Sequence, residues 1–540
     1  MGDVCVDGPD SPCVQSPEEM IGRFQAELIS ALPGWKDRVT TDSSQLEELE
    51  RDVQQAFSRG AGLLIAGLVA LVMASPQFAK SCEQTRQGFR YPLTAGRSRQ
   101  IRVRLLGGLV IWISSLYCEP RKSWFSRTKE KAPGAYIELV QFGFGKGCSP
   151  ALQSKVARTA ALGPSLELAQ KELERDGVSL DVKTVRRITQ QCGAGLLRLR
   201  TLELEAFRAG TLPAGSELAG KHVSVQIDGG RTRIRGAFRE APPVSEATDA
   251  DGLPCEDAPG RSKKPSRRTF DADWREPKLM TIFVHDETGR MVKNSQATID
   301  GTFQGPDAMA ELVAMHLHRL GAAQAQSVTF VADGGIWIWD RIEAIVKLAK
   351  LPLDRVHEVL DCYHAAHHIS LALASLGYGD KQRLPLYREH RTLLRNGQWR
   401  RVVEELTGLA GQAPEGSKVW TEIAYLKKHG EAGRLKYPTF RQLGLPLGSG
   451  AIESGIRRVI NLRLKGNSIY WLEASAESML QVRAQVLTDR WDERMKQLRQ
   501  ALTLDARSNW TWTPRPMSSK AELDDSSTVL AEKHGENASA

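Results

Sequence analysis

The chain has 540 residues, 41% apolar and 25% charged, and this is the composition of an ordinary soluble globular protein long enough for several domains. Its net charge is +9, but the first 60 residues hold twelve acids and five bases, which leaves +16 on the remainder. This distribution favours a polyanionic partner, nucleic acid before membrane.

The eight cysteines include no CxxC pair, so the sequence signals neither a zinc ribbon nor a disulfide framework. The pattern fits a reducing compartment. The polar, acidic start does not look like a secretory signal. The apolar run 60–75 is short for a membrane span, and we interpret it as a buried helix. We therefore expect a cytoplasmic protein that does not cross a membrane.

The first part of the chain predicts a mostly helical region over 1–95, followed by a small strand-rich region over 96–145. An acidic amphipathic stretch at 43–59 leads into the apolar run. Two strands are expected in 98–118, on either side of Gly107 and Gly108.

Residues 146–215 contain the helix start and stop residues expected of a helix-turn-helix region. Ser149-Pro150 starts one helix, a second runs from about Ser165 to Glu174, and a third begins near Asp181. The third helix turns Val182, Val185 and Ile188 inward. A basic helix after a short turn fits the DNA major groove, although a plain helical hairpin with solvated cations explains the pattern about as well. The candidate DNA contacts are Lys183, Thr184, Arg186 and Arg187.

Residues 216–500 predict an α/β domain in which strands and helices alternate. We expect a strand at 223–229, a strand running into a turn at 280–290, a helix at 307–320, and strands ending in an acid within 327–335 and 356–364. A loop insertion at 240–270 contains the basic run RSKKPSRR, and a helical insertion occupies 380–440. The polar tail 501–540 is expected to be disordered.

Two aspartates follow apolar strands in the same way. Asp228 ends QIDGG and Asp333 ends VADGG. Taken singly, each is most simply a turn or capping residue. Two identical Asp-Gly-Gly exits in one domain favour a site instead, because carboxyl ends of strands in open α/β sheets are where sites form.

A third acid, Glu453, begins the cationic stretch 448–467. Glu453 could simply cap this helix, since it lies three residues after Gly450. Together with Asp228 and Asp333, however, Glu453 is better explained as the third carboxylate of a site. Three carboxylates supply the hard oxygen ligands that suit two Mg²⁺ or Mn²⁺ ions, while nearby cations hold nucleic-acid phosphates. The candidate DNA contacts here are Arg457, Arg458, Asn461, Arg463 and Lys465.

These residues resemble those of the Asp-Asp-Glu transposases, and in particular the ISKra-type bacterial insertion-sequence transposases related to the Mutator-like group. The motifs that carry the resemblance are QIDGGRTRIRG, DWRE followed by PK, VADGGIWIWDRI, LDCYHAAHHI and GSGAIESGIRRVINLRLKGNSIYW. It covers about 220–490. It implies an RNase H-like catalytic core with a helical insertion, preceded by helical and helix-turn-helix DNA-binding regions.

The resemblance also implies roles for single residues. Asp228, Asp333 and Glu453 would be both catalytic and metal-ligating. Asp361 and His364 match a short Cys/Asp-x-x-His signature and would support the site. Relatives often carry a CxxC pair before the helix-turn-helix, whereas Cys118 has no partner at that spacing, so we expect no metal there.

The function implied is a DNA transposase that binds the inverted-repeat ends of an insertion sequence and performs magnesium-dependent cleavage and strand transfer. Its partners would be double-stranded transposon-end and target DNA, in a homodimer or larger synaptic complex at the bacterial nucleoid. Two alternatives remain at this point. One is a catalytically inactive DNA-binding regulator, and the other is a two-carboxylate sugar hydrolase.

Overall fold

The computed structural model describes residues 3–89, 93–120, 134–239, 269–411, 413–466 and 469–505. The chain is mixed α/β, as the sequence predicts. It forms two compact units, one made of residues up to Leu196 together with those from Met495, the other of Leu197–Arg494. This division is coarser than the five predicted regions, whose boundaries stay a prediction.

The first unit joins a small antiparallel sheet with helices. Strand β3 is central, with β1 and β2 on its two sides and β4 paired at its end. The strands β2 and β3 confirm the two strands expected around Gly107 and Gly108. The elements are β1 Val4–Cys5, α1 Pro17–Thr41, α2 Leu46–Ala74, α3 Pro76–Gln87, β2 Leu93–Arg104, β3 Val110–Pro120, β4 Ala135–Tyr136, α4 Ile137–Phe142, α5 Pro150–Leu162 and α6 Leu166–Arg175.

The apolar run 60–75 forms the second half of α2, but it is buried on one face only. Leu63 and Ala66 are fully buried. The opposite face is open at Leu64, Ile65, Leu68, Leu71 and Val72. Among the described residues, the helical stretch Ser43–Ala74 is the one that has the length and apolar composition of a membrane span.

Helix α7, Val182–Arg208, begins where the sequence predicts the third helix of the 146–215 region. Ser149 and Ser165 accept hydrogen bonds from Leu152 and Leu168 backbone N–H groups, so they cap α5 and α6 as expected. Val185 and Ile188 are fully buried, as predicted, and Val182 is half-buried.

The second unit contains a five-stranded sheet and a separate hairpin. Helix α17 begins in this unit, belongs to the first unit from Met495 onwards and extends five residues into the predicted tail. Residues 506–540 lie outside the described residues. The elements are β5 His222–Gly229, β6 Thr232–Arg239, β7 Thr269–Arg275, β8 Lys278–His285, β9 Thr298–Thr302, α8 Pro306–Leu320, β10 Ser327–Ala332, α9 Ile336–Leu348, β11 Val356–Leu360, α10 Cys362–Ser375, α11 Asp380–Arg395, α12 Trp399–Ala410, α13 Lys418–Glu431, α14 Tyr437–Gln442, α15 Gly450–Gly455, a π-helical turn Ile456–Asn461, α16 Glu473–Leu487 and α17 Trp491–Asp505.

The sheet has the order β11-β10-β5-β8-β9. Strands β11, β10 and β5 are parallel, while β8 and β9 are added as antiparallel neighbours. The alternation of apolar strands and helices in the sequence predicts these elements well. The stretch 380–440 is largely helical, as predicted, and forms α11 to α14. The predicted loop insertion lies outside the described residues between 240 and 268.

The two faces of this sheet are covered by different helices. Met280 and Ile282 of β8 pack into the large core formed with α8 and α9. Leu279, which points the other way because side chains alternate along a strand, packs with α15, the π-helical turn and α16. Helix α15, which carries Glu453, therefore packs against one face of the sheet.

Candidate active site

Asp228 and Asp333 follow equivalent positions on neighbouring parallel strands. Gln226 of β5 is paired with Val331 of β10, and each aspartate comes two residues later. Because neighbouring strands lie about 4.8 Å apart, this register brings the two aspartate backbones together at one edge of the sheet. The sequence prediction that these two acids share a site at the strand ends agrees with this placement.

Each aspartate is held by a backbone N–H of its own glycine exit. Gly229 N donates to Asp228 Oδ1 over 2.6 Å, and Gly335 N donates to Asp333 Oδ1 over 3.1 Å. These bonds orient one oxygen of each carboxylate and leave the second oxygen for another partner.

Burial and several neighbouring acids affect the pKa of Asp228. Burial is the main cause that raises the pKa of Asp228 to about 6, and repulsion from Asp333 is the next. The carboxylates of Glu276 and Glu453 act in the same direction, against the Gly229 N–H bond. A buried carboxylate that is repelled by neighbouring acids is typical of a site that takes up a cation.

Glu453 is placed near the aspartates by a buried amide and a serine. Gln226, two residues before Asp228, accepts from Ile452 N over 3.0 Å and donates to Gly448 O over 3.1 Å. The Ser449 hydroxyl lies 3.3 Å from Glu453 Oε1. The start of α15 is therefore tied to β5 on the same side as Asp228.

The capping interpretation of Glu453 is not what the geometry shows. The Glu453 side chain is exposed and lies beside the Ser449 hydroxyl, and α15 has no side-chain cap. The single helix expected here is also interrupted. It continues after Gly455 as a π-helical turn, a feature often found at functional sites. The apolar residues that recur at helical spacing in this stretch are nevertheless buried, and they are Ile452, Ile456, Val459, Ile460 and Leu464.

Asp361 supports the site through Ser449. It is 2% exposed, ends β11 and accepts from Tyr363 N and His364 N at the start of α10. Its second oxygen accepts from Ser449 N and Ser449 Oγ at 2.6 and 2.5 Å. The residue thus joins the third parallel strand to the turn that precedes Glu453, which is consistent with the supporting role predicted for it.

His364 lies in a group of rings beside Asp333. The rings of His364 and His368 are 5.1 Å apart, and His368 stacks on Tyr425 at 3.7 Å. Tyr425 donates its hydroxyl to Asp333 O over 2.7 Å. His364 itself is half-buried and contributes to this group rather than to the carboxylates directly.

Three residues of the site, Gln226, Ser449 and Tyr425, are not predicted from the sequence. Gln226 is a polar residue at a buried strand position, which is a weak signal. The structure shows why residue 334 is a glycine. It has a φ of +96°, and a Cβ there would lie 2.1 Å from the Tyr425 hydroxyl. Gly334 therefore leaves room for the side chain of this tyrosine.

The donor set suits a hard divalent cation. Asp228, Asp333 and Glu453 offer only carboxylate oxygens, the ligands that Mg²⁺ and Mn²⁺ prefer. Within the described ranges, no three His, Cys, Asp or Glu side chains already form a metal cage. The chemistry of the residues and the mutual repulsion at Asp228 nevertheless fit such an ion.

The predicted cations after Glu453 divide into two groups. Arg457, Arg458 and Lys465 are exposed, and Asn461 is half-buried. Arg463 is only 5% exposed, and its guanidinium lies 5.3 Å from the Trp471 ring. Arg463 is therefore not presented at the surface with the others.

The predicted DNA contacts on α7 lie mainly on its exposed side. Lys183, Arg186 and Arg187 are exposed, while Thr184 is half-buried and bound to Asp181. A cavity of about 310 Å³ opens at this end of α7. Arg187 shares its lining with three further cations and one acid, which are Arg102, Arg104, Lys146 and Asp181.

The charges around this cavity repel one another. Burial, with Arg102 next, lowers the pKa of Arg104, and burial together with Arg187 lowers that of Lys146. A concentration of cations of this kind is typical of a place that binds an anion such as a phosphate.

No family model, curated protein or solved structure matches this chain, so its function has to be inferred from the sites above.

Proposed function

We propose that this chain is a DNA transposase of the Asp-Asp-Glu type, and that its five-stranded sheet is an RNase H-like core. The observation that carries the proposal is that two aspartates end adjacent parallel strands, while the helix that carries Glu453 is hydrogen-bonded to the same strand as Asp228 through Gln226. Asp228 and Asp333 end adjacent parallel strands, and Glu453 acts on the charge of Asp228. The order of the sheet, three parallel strands with an antiparallel pair beside them, is compatible with such a core.

The surroundings of the carboxylates favour a nucleic-acid substrate over a sugar. Arg457, Arg458 and Lys465 are exposed within twelve residues of Glu453. A cationic surface next to clustered acids attracts a phosphodiester backbone to a metal-binding site. The two-carboxylate sugar hydrolase explains neither these cations nor the basic cavity near α7.

Each group of residues in the site would have its own role. Two bound divalent ions would supply charge neutralisation at phosphorus and activation of the attacking oxygen. Asp228, Asp333 and Glu453 would hold those ions, and the exposed cations would fix the DNA strand in line. Gln226, Ser449 and Asp361 would keep α15 against the sheet. This arrangement supports attack by water and then by a DNA 3′-hydroxyl without a covalent enzyme intermediate.

The experiment is a nicking assay on DNA that carries the element's ends, with Mg²⁺ present. We expect Asp228→Asn, Asp333→Asn and Glu453→Gln each to lower the nicking rate by about 10²- to 10³-fold or more, as loss of a charge-stabilising group in a catalytic site does. DNA-end binding, measured by gel shift, should stay close to that of the wild type. The matched control is Asp340→Asn, an exposed acid of α9.

Nicking that persists in the triple variant would refute the transposase. Specific binding by a wild-type protein that never nicks would instead support the DNA-binding regulator.

A further inference from the structure

The hairpin β6–β7 leaves the sheet next to Asp228 and carries an unusual exposed face. Strand β6 begins at Thr232, three residues after β5 ends. Its register pairs Arg233 with Trp274 and Arg235 with Ala272. Because side chains alternate along a strand, these residues share one face, and Asp271 and Asp273 lie on the other.

Residues 470–472 extend this face at the other edge of β6. Trp471 N donates to Arg233 O, and Arg235 N donates to Trp471 O. The side chain of Trp471 turns towards buried Arg463, so its neighbour Tyr470 lies on the same side as Arg233.

Rings and guanidinium groups alternate along this face, which we call the arginine–aromatic face. It is defined by Arg233, Arg235, Phe270, Trp274 and Tyr470. The Arg233 guanidinium lies 4.9 Å from the Trp274 ring and 5.7 Å from the Tyr470 ring. The Tyr470 and Phe270 rings are 5.1 Å apart, and the Arg235 guanidinium lies 5.2 Å from the Phe270 ring.

Two rings of this face are exposed, while Arg233, Arg235 and Phe270 are half-buried. Trp274 is 48% and Tyr470 39% exposed. Elsewhere in this unit, the pair of Arg434 and Trp339 at 4.2 Å is built into the core, with the indole only 6% exposed. Leaving an indole and a phenol in water forgoes hydrophobic stabilisation, so a folding role does not explain the arginine–aromatic face.

We propose that the arginine–aromatic face binds single-stranded DNA by stacking its unpaired bases on Trp274 and Tyr470. Aromatic rings stack on any base, and arginine adds both charge and a planar surface. The residues that define the face include two cations and no carboxylate, which complements a phosphate backbone. Arg233 is five residues from Asp228, so their Cα atoms are at most about 18 Å apart. A strand opened near the carboxylates reaches this face.

That last step rests on the proposed function, whereas the binding itself does not. The test is therefore made without divalent ions, on the full chain, with a fluorescein-labelled oligothymidylate and a duplex of equal length. Fluorescence anisotropy gives both affinities. The double variant Trp274→Ala/Tyr470→Ala should bind the single strand roughly 5- to 150-fold more weakly, which corresponds to about 1–3 kcal/mol of stacking. Its affinity for the duplex should change by less than about twofold.

Two further variants separate stacking from folding and charge. Trp274→Phe/Tyr470→Phe keeps the rings and should retain most of the single-strand affinity. Arg233→Ala should weaken it, whereas Arg400→Ala should not, although Arg400 lies 4.5 Å from the ring of Trp399 on α12 in a comparable cation–ring pair. Thermal unfolding followed by circular dichroism confirms that the variants are folded.

Unchanged single-strand affinity in the folded double alanine variant would overturn the inference, as would an equal loss for duplex and single strand. A change in oligomeric state by sedimentation, without a change in DNA affinity, would assign the face to protein association instead. Failure of the proposed function looks different: the carboxylate variants would keep nicking, while the aromatic variants would still lose the single strand.

Discussion

At the scale of single residues, the site depends on side chains that hold the carboxylates as much as on the carboxylates themselves. The sequence points to Asp228 and Asp333 because an acid directly after an apolar strand stands out. It does not point to Tyr425, since a tyrosine in an amphipathic helix is usually core. Its partner, the Asp333 carbonyl, lies 92 positions away, and only the fold brings the two together.

Removing the Tyr425 hydroxyl tests whether it positions Asp333. In Tyr425→Phe the ring can still stack on His368, but the hydrogen bond to Asp333 O is absent. A net hydrogen bond of about 0.5–1.5 kcal/mol predicts a nicking rate lower by roughly 2- to 12-fold. The affinity for DNA should not change, and the rate should require a higher Mg²⁺ concentration to saturate.

Tyr387→Phe, in a half-buried tyrosine of the same helical insertion, is the control and should leave both quantities unchanged. A Tyr425→Phe enzyme with wild-type rate and wild-type Mg²⁺ dependence would show that the tyrosine hydroxyl only fills space.

At the scale of elements, strands and helices follow from the sequence where apolar periodicity is clear. Strands β5, β10 and β11 and helix α8 are predicted to within a few residues. The π-helical turn after Glu453 is not predicted, because apolar residues three or four apart fit an α-helix equally well. The burial of Arg463 is not predicted either, since it depends on Trp471, which pairs alongside β6.

In the second unit, the buried carboxylate of Asp300 on β9 binds side chains of three helices, α7, α8 and α16. Asp300 is 2% exposed, accepts from Arg200 over 3.2 Å and from His316 Nε2 over 2.8 Å, and also binds Gln481. Arg319 donates to His316 Nδ1, so His316 serves Asp300 as a neutral donor. Burial alone would raise the pKa of Asp300, but Arg200 and these donors hold it well below its usual range.

Asp300→Asn should therefore lower the free energy of unfolding by about 3 kcal/mol at pH 7, because it leaves the buried Arg200 with one carboxylate fewer. A depressed pKa stabilises the fold above the ordinary aspartate pKa of about 3.9, and this contribution is lost as the pH falls below that value. The difference between wild type and variant should thus shrink between pH 5 and pH 3 in urea unfolding.

Asp307→Asn is the control, because Asp307 is 89% exposed in its pair with Arg341 and should matter by less than about 1 kcal/mol. A wild-type-to-variant difference that stays constant down to pH 3 would contradict the charge assignment at Asp300.

At the scale of the whole molecule, the charge distribution predicted a polyanionic partner, and the structure adds the basic cavity near α7. The sequence could not predict this cavity, because Arg102 and Arg104 on β2, Lys146 and Arg187 come from separate parts of the chain. It also could not predict that one face of α2 stays open, since an apolar run does not say how much of it finds a partner.

If the cavity binds DNA phosphates, Arg104→Ala/Lys146→Ala should weaken duplex binding about tenfold or more. The slope of log affinity against log salt should become shallower by about 2, because each removed cation leaves one phosphate with its counterion. Lys36→Ala/Lys80→Ala, which removes two exposed cations from α1 and α3, is the control. An unchanged salt slope in the cavity variant would assign these cations to another role.

The proposed mechanism requires that Asp228, Asp333 and Glu453 hold divalent cations together. The most direct test is calorimetric titration of Mn²⁺ into the full-length wild type and into Asp228→Asn, Asp333→Asn, Glu453→Gln and the control Asp340→Asn. We expect Mn²⁺ binding in the wild type and in the control, and a loss of affinity of at least about tenfold in each of the other three. Equal Mn²⁺ binding in all five proteins would contradict this mechanism.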